Sequence, residues 1–402
     1  MTTHTTPVAP LGEVLTAEAL PARQQPEWSD PVRLAEVRTR LSVAEPIVDH
    51  ESVRELGGLL ARAAAGELCV LQAGDCAEDP AECGVEDVRP KVEQLDVLGD
   101  IMRVGAGAPV LKVGRIAGQY AKPRSNAFEE REGVRLPVYR GSIVNAPDPS
   151  PAARRPDPDR VLLGHVAARR TVGVIDGLGR GAGARDRVWT SHEALLLDYE
   201  VPQVRAAPDG RPYLASTHWP WIGERTRQLD GAHVALLALV ANPVACKVGP
   251  SMTEDELLRL CTALDPHRTP GRLTLIPRFG ASDIDALAPL VRAVTRAGHP
   301  VLWLCDPMHG NTVVGAHGLK TRRLTDVMTE ISRFVAVVAG NGGTPGGLHL
   351  EASPADVNEC EGAGAVVERG EHYRTLCDPR LNATQAVAAV AHWHRDPTRV
   401  VA

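Results

Sequence analysis

Residues 300–312 join a hydrophobic run to residue types that can do chemistry. Residues 301–304 are Val-Leu-Trp-Leu, a run too short for a helix and typical of a strand buried on both faces. Asp306 and His309 follow within a few residues, among turn-forming proline and glycine. A buried parallel strand that ends in ionisable residues is how an α/β barrel presents a catalytic site at its C-terminal rim. An Asp-Pro turn with a surface histidine explains this one segment equally well. The choice between the two interpretations depends on whether the same pattern occurs elsewhere in the chain.

The same pattern, an apolar run followed by polar residues, occurs at seven other places. The predicted strands are residues 67–72, 109–113, 188–191, 213–217, 245–248, 273–276, 301–304 and 347–350. The connections between the later strands have helical periodicity, as in residues 254–264 and 284–297. Alternating strands and helices favour a parallel sheet, and eight repeats predict an α/β fold of the closed (β/α)8 TIM barrel type.

The chain is predicted to divide into a short N-terminal arm and a barrel domain. Residues 1–51 are Pro-rich and interrupted, with one short helix predicted at residues 30–42. We interpret them as an arm that contacts other subunits. An amphipathic helix at residues 52–65 opens the catalytic barrel domain, residues 52–402.

Three stretches receive structural interpretations instead of functional ones. Residues 122–160 are interpreted as a long loop after the second strand. The Gly-rich residues 173–187 are interpreted as a flexible connector, because no strand leads into them as it does in a phosphate-binding glycine loop. Arg322 and Arg323 are interpreted as the solvated start of a helix, although Lys320 and Arg322 are close in sequence to the loop after the seventh strand.

A set of six basic residues follows the predicted strands of an otherwise acidic protein. The set is Arg115, Lys122, Arg124, Arg225, Lys247 and Arg278. Arginine binds phosphate or carboxylate through two parallel hydrogen bonds, and lysine binds as a point charge, so the set suits a ligand with several anionic groups. A salt bridge at the rim explains each residue singly but is a poor explanation of all six.

A second set of residues at the strand ends has the chemistry of metal ligands. The set is Cys76, His309, Glu351 and Asp378. It offers one sulfur, one nitrogen and carboxylate oxygens, a mixture that suits Mn, Co, Fe or Zn. The four residues are far apart in sequence and form no local metal-binding motif. From residue types alone, an inert buried cysteine beside hydrogen-bonded rim residues stays open as the alternative.

The composition argues against several classes of protein. The 402 residues carry a formal net charge of −6, which gives no general attraction to nucleic acid or to an anionic membrane. No apolar run approaches the roughly 20 residues that span a bilayer. The eight scattered cysteines form no CxxC pair, and the N-terminus lacks the pattern of a signal peptide. We therefore expect a reduced, cytoplasmic protein.

Seven longer motifs stand at the ends of the predicted strands and in the segments that follow them. They are QAGDCAE (72–78), VGRIAGQYAKPRS (113–125), TSHEAL (190–195), WIGERTRQ (221–228), KVGP (247–250), CDPMHGNT (305–312) and CDPRLN (377–382). Together they resemble the type II 3-deoxy-D-arabino-heptulosonate 7-phosphate (DAHP) synthases, and the resemblance extends from about residue 24 to the C-terminus. Residues 137–141, 216–221 and 242–247 are most similar to the compact variant that feeds phenazine and similar secondary pathways.

The resemblance implies a TIM barrel that condenses phosphoenolpyruvate with D-erythrose 4-phosphate to DAHP and phosphate, the first step of the shikimate pathway to chorismate and the aromatic amino acids. It implies that Mn²⁺ or Co²⁺ is bound by Cys76, His309, Glu351 and Asp378. The implied phosphoenolpyruvate site is Arg115, Glu224, Arg225, Lys247 and Arg278. The implied erythrose 4-phosphate site is Lys122, Arg124, Ser125 and Asp306. The catalytic candidates are Lys247, Arg115 and Glu224, with Lys247 either a general acid or only a clamp.

Other functions and assemblies stay open at this point. The alternative enzyme is an aminoDAHP synthase, which uses an imino sugar phosphate. A catalytically silent barrel that binds a chorismate mutase is a hypothesis of another class, and the intact metal-ligand set argues against it. We also expect a homo-oligomer, a dimer or a tetramer, with chorismate mutase as a candidate partner and with no nucleic-acid or membrane partner.

Overall fold

Eight parallel strands close into a barrel in the computed structural model, which describes residues 11–131, 133–315 and 318–395. The strands are β1 (Cys69–Gly74), β2 (Val110–Arg115), β3 (Phe128–Arg131), β4 (Val134–Pro137), β5 (Trp189–Glu193), β6 (Val204–Ala206), β7 (Pro212–Leu214), β8 (Trp219–Ile222), β9 (Val244–Val248), β10 (Leu273–Pro277), β11 (Leu302–Cys305), β12 (Thr312–Val314), β13 (Lys320–Arg322) and β14 (Pro345–Glu351). The order around the barrel is β1-β2-β5-β8-β9-β10-β11-β14, and β14 pairs with β1. The predicted closed barrel is confirmed.

Helices precede the first barrel strand, lie between consecutive barrel strands or, in the case of α11, follow the last one. They are α1 (Leu11–Glu18), α2 (Pro31–Val43), α3 (His50–Ala64), α4 (Val85–Ala106), α5 (Asp159–Leu178), α6 (Leu197–Glu200), α7 (Ala232–Leu239), α8 (Glu254–Leu264), α9 (Ala288–Arg296), α10 (Leu324–Gly340) and α11 (Ala383–Ala391), with 3₁₀ turns at Val201–Gln203 and Ile284–Leu287. Their starts follow from capping chemistry. Asp49 accepts from the backbone N–H of Ser52 at the start of α3, and Thr253 caps α8 in the same way. None of the helices in the described part of the chain combines the length and the apolar character that a bilayer crossing requires.

The N-terminal arm is helical where the structure describes it. The predicted helix at residues 30–42 is α2, while α1 was not predicted and packs against α7. Residues 1–10, on which the signal-peptide argument depends, lie outside the described residues. The predicted helix at residues 52–65 is α3, whose Leu56 and Leu60 join the apolar cluster of the barrel interior. This helix therefore covers the N-terminal end of the barrel.

The fourth predicted strand was wrong. Residues 212–214 form β7, which pairs antiparallel with β6 outside the barrel, and the fourth barrel strand is β8. Proline in Trp219–Ile222 argued against a central strand, because proline has no N–H to donate. The barrel accepts Pro220 because β8 is only four residues long and pairs through the flanking Trp219 and Trp221.

Two predicted irregular stretches contain regular structure. Residues 122–160 include the antiparallel hairpin of β3 and β4 and the first turn of α5. The predicted flexible connector was wrong for residues 173–178, which are the last turns of α5. Its glycines suggested a break, but the apolar residues Val172 and Ile175 are buried and keep the helix on the barrel.

Side chains alternate between the inside and the outside of each barrel strand, with a period of two. The interior apolar cluster contains Val113, Trp221, Ala245, Ile276 and Leu304. On each strand, the residue two positions further along the chain lies on the same face, at the C-terminal mouth of the barrel. The eight inward positions there are Gly74, Arg115, Glu193, Gly223, Lys247, Arg278, Asp306 and Glu351. Six of the eight are ionisable and two are glycine, so the barrel has an apolar interior and a charged mouth with room for a ligand.

We predict that Gly347→Ala destabilises the barrel at its point of closure. Gly347 has a φ of 149°, and a Cβ there would overlap the backbone carbonyl of Val70 on the paired strand. The expected loss is at least about 3 kcal/mol of unfolding free energy, measured by urea denaturation.

Gly173→Ala is the control for this substitution. Gly173 lies within α5, and nothing lies within 4 Å of a Cβ placed there. Alanine should stabilise the helix by about 0.5–1 kcal/mol. A stable Gly347→Ala protein would contradict the assignment of the closing strand pair.

Candidate active site

A cavity of about 460 Å³ lies at the C-terminal mouth of the barrel. Its basic lining residues are Lys122, Arg124, Arg225, Lys247, Arg278 and Lys320. Five of these belong to the basic set singled out from the sequence, and Lys320 is an addition. The cavity also has Ser125, Glu193, Glu224 and Asp378 in its wall. A small polar ligand that carries several negative charges fits this lining.

The four metal-ligand candidates come together at one side of this cavity. Ligand atoms of Cys76, Glu351 and Asp378 all lie within 4.8 Å of one another. Nε2 of His309 lies 3.4 Å from Oε1 of Glu351. A thiol and two carboxylates that lie close together, with an imidazole nitrogen beside one of the carboxylates, form a donor set that suits a divalent first-row transition metal.

The orientation of His309 supports its interpretation as a ligand. Its Nδ1 donates to Oδ2 of Asp306 at 2.7 Å, which leaves the Nε2 lone pair directed toward the carboxylates. A carboxylate that holds the outer nitrogen of a metal-binding histidine is a recurrent arrangement, because it fixes the tautomer and the ring orientation. The residues present therefore fit a metal ion.

Glu351 is fully buried and is surrounded by cationic groups. Oε1 accepts from Arg115 at 2.9 Å, and Oε2 accepts from Arg322 at 2.8 Å. The Nζ of Lys122 lies 3.6 Å from Oε1. Burial opposes ionisation, but His309, Lys122 and the two arginines outweigh it and hold the pKa of Glu351 well below its usual range. The carboxylate is therefore ionised and ready to accept a cation or hydrogen bonds.

Arg322 was misread from the sequence. Its side chain is buried and not solvated, and it donates to Glu351, to the backbone carbonyl of Pro379 and to Thr312. Arg323, by contrast, is exposed at the start of α10 and forms surface pairs. Adjacent strand residues point to opposite sides, so an Arg-Arg pair at the end of β13 puts one side chain inward and one outward.

Lys247 and Asp306 form a buried ion pair 2.5 Å long. Asp306 also accepts from Nδ1 of His309 and from the backbone N–H of Met308, so both of its oxygens are occupied. Burial lowers the pKa of Lys247 to about 8, a shift that Asp306 partly offsets and that the charge of Arg115 increases. An ammonium with such a pKa can release a proton near neutral pH.

The other basic candidates differ in their placement. Arg278 lines the cavity and donates to the backbone carbonyl of His309 at 3.3 Å, and Arg225 donates to Oγ of Ser125 at 2.7 Å. Arg115 is 2% exposed and is not among the described residues that line the cavity. It reaches the site through Glu351 instead. The backbone N–H of Arg124 is held by the side chain of Gln24, which ties the N-terminal arm to the loop after β2.

Glu193 is a functional candidate that the sequence analysis did not carry into the site. It lines the cavity at the end of β5, and its Oε1 has no hydrogen-bond partner among the described residues. Burial raises its pKa, although Lys122 and Lys247 oppose the shift. Gly223 makes room for it, because a Cβ at Gly223 would overlap Oε1 of Glu193. The signal was its place two residues after the inward Ser191.

Glu78 holds the first two catalytic loops together. Its carboxylate accepts hydrogen bonds from the backbone N–H groups of Ala117, Gly118 and Gln119 at 2.8–3.0 Å. Ala117 is in the left-handed region with φ of 64°, a conformation that costs energy for a residue other than glycine. The bonds to Glu78 stabilise this turn and so position the segment that leads to Lys122.

Glu330 does the same for the loops after β10 and β11. This buried carboxylate on α10 accepts from the backbone N–H groups of Phe279 and Gly280 and from Nδ2 of Asn311. Asn311 in turn accepts from the N–H of Ala281. Burial raises the pKa of Glu330 to about 8. The network therefore links the loop of Arg278 to the loop of His309.

We predict that Glu330→Ala lowers the unfolding free energy by about 3 kcal/mol, because three buried donors lose their acceptor. Asp326→Asn on the same helix is the control, since Asp326 makes only an exposed pair with Arg323. Thermal and urea denaturation of both variants provide the comparison. Equal stability of the two proteins would show that the buried network contributes nothing.

The comparisons with known proteins agree with this geometry. The sequence model of the Class-II DAHP synthetase family matches residues 14–186 and 179–392. A probable phospho-2-dehydro-3-deoxyheptonate aldolase of Pseudomonas fluorescens is 50% identical over 392 residues, which are 96% of this chain and 97% of that protein. The phospho-2-dehydro-3-deoxyheptonate aldolase of Streptomyces coelicolor is 40% identical over 432 residues, covering 94% of this chain and 96% of that protein.

Among solved structures, a truncated DAHP synthase from Thermotoga maritima aligns with a TM-score of 0.41 and 16% identity, over 81% of this chain and 84% of that chain. The family assignment depends instead on the family match and on the curated relatives, which extend over nearly the whole chain. The chain belongs to the Class-II DAHP synthetase family.

Proposed function

We propose that this chain is a DAHP synthase that condenses phosphoenolpyruvate with D-erythrose 4-phosphate to give DAHP and phosphate. The observation that carries the proposal is a cavity lined by six basic side chains and by His309 and Asp378. Cys76 and Glu351, the other two metal-ligand candidates, lie beside these residues. The two substrates together carry two phosphates and a carboxylate, which matches the charge of the lining. The test is the formation of DAHP and phosphate by the purified protein from the two substrates.

The metal ion would be held by Cys76, His309, Glu351 and Asp378, and Mn²⁺ or Co²⁺ suits this donor set. When bound, such an ion supplies Lewis-acid polarisation of the aldehyde oxygen. The chain's own part is to hold the ligands. Asp306 orients His309, and Arg322 holds the outer oxygen of Glu351.

Phosphoenolpyruvate is assigned to the side of the cavity formed by Arg225, Lys247 and Arg278, with Arg115 and Glu224 beside them. Arg278 and Arg225 act as clamps on the phosphate and the carboxylate and align C3 of the enol with the aldehyde carbon. Glu224 is paired with Arg227 at 2.7 Å, and its Oε2 has no hydrogen-bond partner among the described residues. We assign this oxygen a catalytic role, which is to orient water or substrate.

Erythrose 4-phosphate is assigned to the adjoining part of the wall, where Lys122, Arg124 and Ser125 line the cavity. Lys122 lies between this wall and the ligand cluster, 3.5 Å from Oδ2 of Asp378. Asp306 contributes through the two groups that it holds, Lys247 and His309. Lys247 is the general acid that protonates the developing alkoxide, because its lowered pKa suits proton transfer near neutral pH.

We also propose a role in secondary metabolism and an oligomeric state. The compact motifs at residues 137–141, 216–221 and 242–247 support a pathway of the phenazine type over primary metabolism. The arm, residues 1–51, is assigned to contacts between subunits of a dimer or tetramer, since Val32 and Val43 on α2 are 71% and 81% exposed. A chorismate mutase is the proposed partner protein. Turnover of an imino sugar phosphate, with none of erythrose 4-phosphate, would favour the aminoDAHP alternative.

We predict that a chelator abolishes DAHP formation and that Mn²⁺ or Co²⁺ restores it. Cys76→Ser should lose most of its affinity for the ion, because the thiolate is the one soft ligand. Titration calorimetry of the apo-protein measures this affinity independently of turnover. Cys83→Ser is a control that changes a cysteine outside the cluster. Full activity in chelator, with no metal in elemental analysis, would refute the prediction.

We predict a division of labour between Arg278 and Lys122. Arg278→Ala should raise the apparent Michaelis constant for phosphoenolpyruvate, because a charge-assisted contact contributes roughly 1.5–3 kcal/mol to binding. Lys122→Ala should raise the constant for erythrose 4-phosphate instead. Steady-state kinetics with each substrate varied in turn measure both effects. Variants that both weaken the same substrate and spare the other would contradict the assignment of the two sides.

A further inference from the structure

Three polar residues interrupt the apolar interior of the barrel one layer below the mouth. Gln72 on β1, Ser191 on β5 and His349 on β14 occupy inward positions beside apolar residues such as Val113 and Leu304. All three side chains are fully buried. Burial of polar groups costs free energy unless they are hydrogen-bonded. A polar patch at this place therefore requires a compensating network.

The three side chains form one continuous chain of hydrogen bonds that ends on Arg115. Nη1 of Arg115 lies 2.5 Å from Nε2 of His349, and Nδ1 of His349 lies 2.6 Å from Oε1 of Gln72. Nε2 of Gln72 donates to Oγ of Ser191 at 2.9 Å, and Ser191 donates to the backbone carbonyl of Gly114 at 2.8 Å. None of these side-chain atoms is left without a partner.

The two ends of the chain determine the direction of every hydrogen bond in it. A guanidinium can only donate and a backbone carbonyl can only accept. His349 must therefore accept at Nε2 and carry its proton on Nδ1. Gln72 must turn its oxygen toward His349 and its nitrogen toward Ser191. One arrangement satisfies all the groups, so the network has a single low-energy state and not several.

The chain supports a guanidinium that already has three other neighbours. Nε of Arg115 donates to the carbonyl of Asp75 at 3.2 Å, Nη2 donates to Glu351, and the group lies 5.3 Å from the ring centre of Trp221. Trp221 also packs edge-on against His349, with ring centres 5.2 Å apart. The position of the guanidinium is therefore set from below by His349 and from the side by Trp221.

We propose that Gln72 and His349 are positioning residues for Arg115, and that Ser191 anchors them. They hold the guanidinium against Glu351, on the side of the cavity assigned to phosphoenolpyruvate. The inference rests on the proposed function, since it takes Arg115 to belong to the phosphoenolpyruvate side of the cavity. Neither residue touches the substrate, because both are buried one layer below the mouth.

The test compares substitutions along the chain with a matched one outside it. His349→Phe keeps a ring and removes both nitrogens, and Gln72→Met keeps the length and removes both polar atoms. Ser191→Ala removes only one oxygen and keeps the test valid if a larger change prevents folding. Thr274→Val is the control, since Thr274 is buried in the same barrel and its hydroxyl has no hydrogen-bond partner among the described residues.

His349→Phe and Gln72→Met should each raise the apparent constant for phosphoenolpyruvate by about tenfold, because a bond to a charged group loses its acceptor or its orientation. Ser191→Ala should raise it about two- to threefold, since an uncharged hydrogen bond contributes less. The constant for erythrose 4-phosphate should change little in all three. His349→Gln should recover part of the loss, because its amide can accept from Arg115 and donate to Gln72.

Two results would overturn the inference. One is a constant for phosphoenolpyruvate that stays at the wild-type value in all three variants. The other is a lower melting temperature and a lower kcat while the apparent Michaelis constants for both substrates stay unchanged. That result is expected if the residues have only a structural role. Calorimetry of phosphoenolpyruvate binding to the unmodified protein separates a failure of the proposed function from a failure of the positioning role. If the unmodified protein does not bind it, the proposed function fails, whereas binding that the variants retain in full refutes only the positioning role.

Discussion

The burial of Glu351 is the constraint on which the arrangement of the active site depends. An isolated carboxylate is too costly to bury, so the fold must bring positive charge to it. Arg115 comes from β2, Arg322 from β13 and Lys122 from the loop after β2. These groups are distant in sequence, so the site forms only when the barrel has closed. Loss of one partner would leave the others with an uncompensated charge.

Further buried carboxylates keep the loops in register with this centre. Glu78 holds the turn after β2, and Glu330 links the loops after β10 and β11. Each accepts backbone N–H groups that would otherwise be unpaired. The loops at the mouth are therefore tied to one another through the protein interior. The placement of Arg278 and His309 depends on residues that never reach the cavity.

Much of the site could be predicted from the sequence, because polar residues that follow buried parallel strands lie at the C-terminal mouth of a barrel. Arg278 and Asp306 follow two such predicted strands directly. The residue types at the strand ends then gave the basic set and the ligand set. The fourth strand was predicted at residues 213–217, whereas the barrel uses β8, whose Pro220 is unusual in a central strand.

What the sequence could not provide was the direction of side chains outside the regular strands. Arg322 belongs to a three-residue strand beside the barrel, and nothing in its neighbours predicts that it turns inward to Glu351. Likewise, Arg115 was singled out from the sequence, but its partners Gln72 and His349 are known only from the fold. Contacts between strands that are distant in the chain depend on the register of the strands, which the pattern of a single sequence leaves unspecified.

The distribution of tryptophan gives the barrel an intrinsic optical reporter. Of six tryptophans, Trp189, Trp219 and Trp221 lie in the apolar interior, and Trp303 and Trp393 are buried in the surrounding core. Emission from the native chain therefore originates almost entirely in water-free surroundings and should be blue-shifted. Trp221 lies beside the guanidinium of Arg115, 5.3 Å from it, so a charge that enters the mouth alters the electric field at its indole. Binding of a ligand in the cavity can therefore be followed by the wavelength of tryptophan fluorescence, without a label.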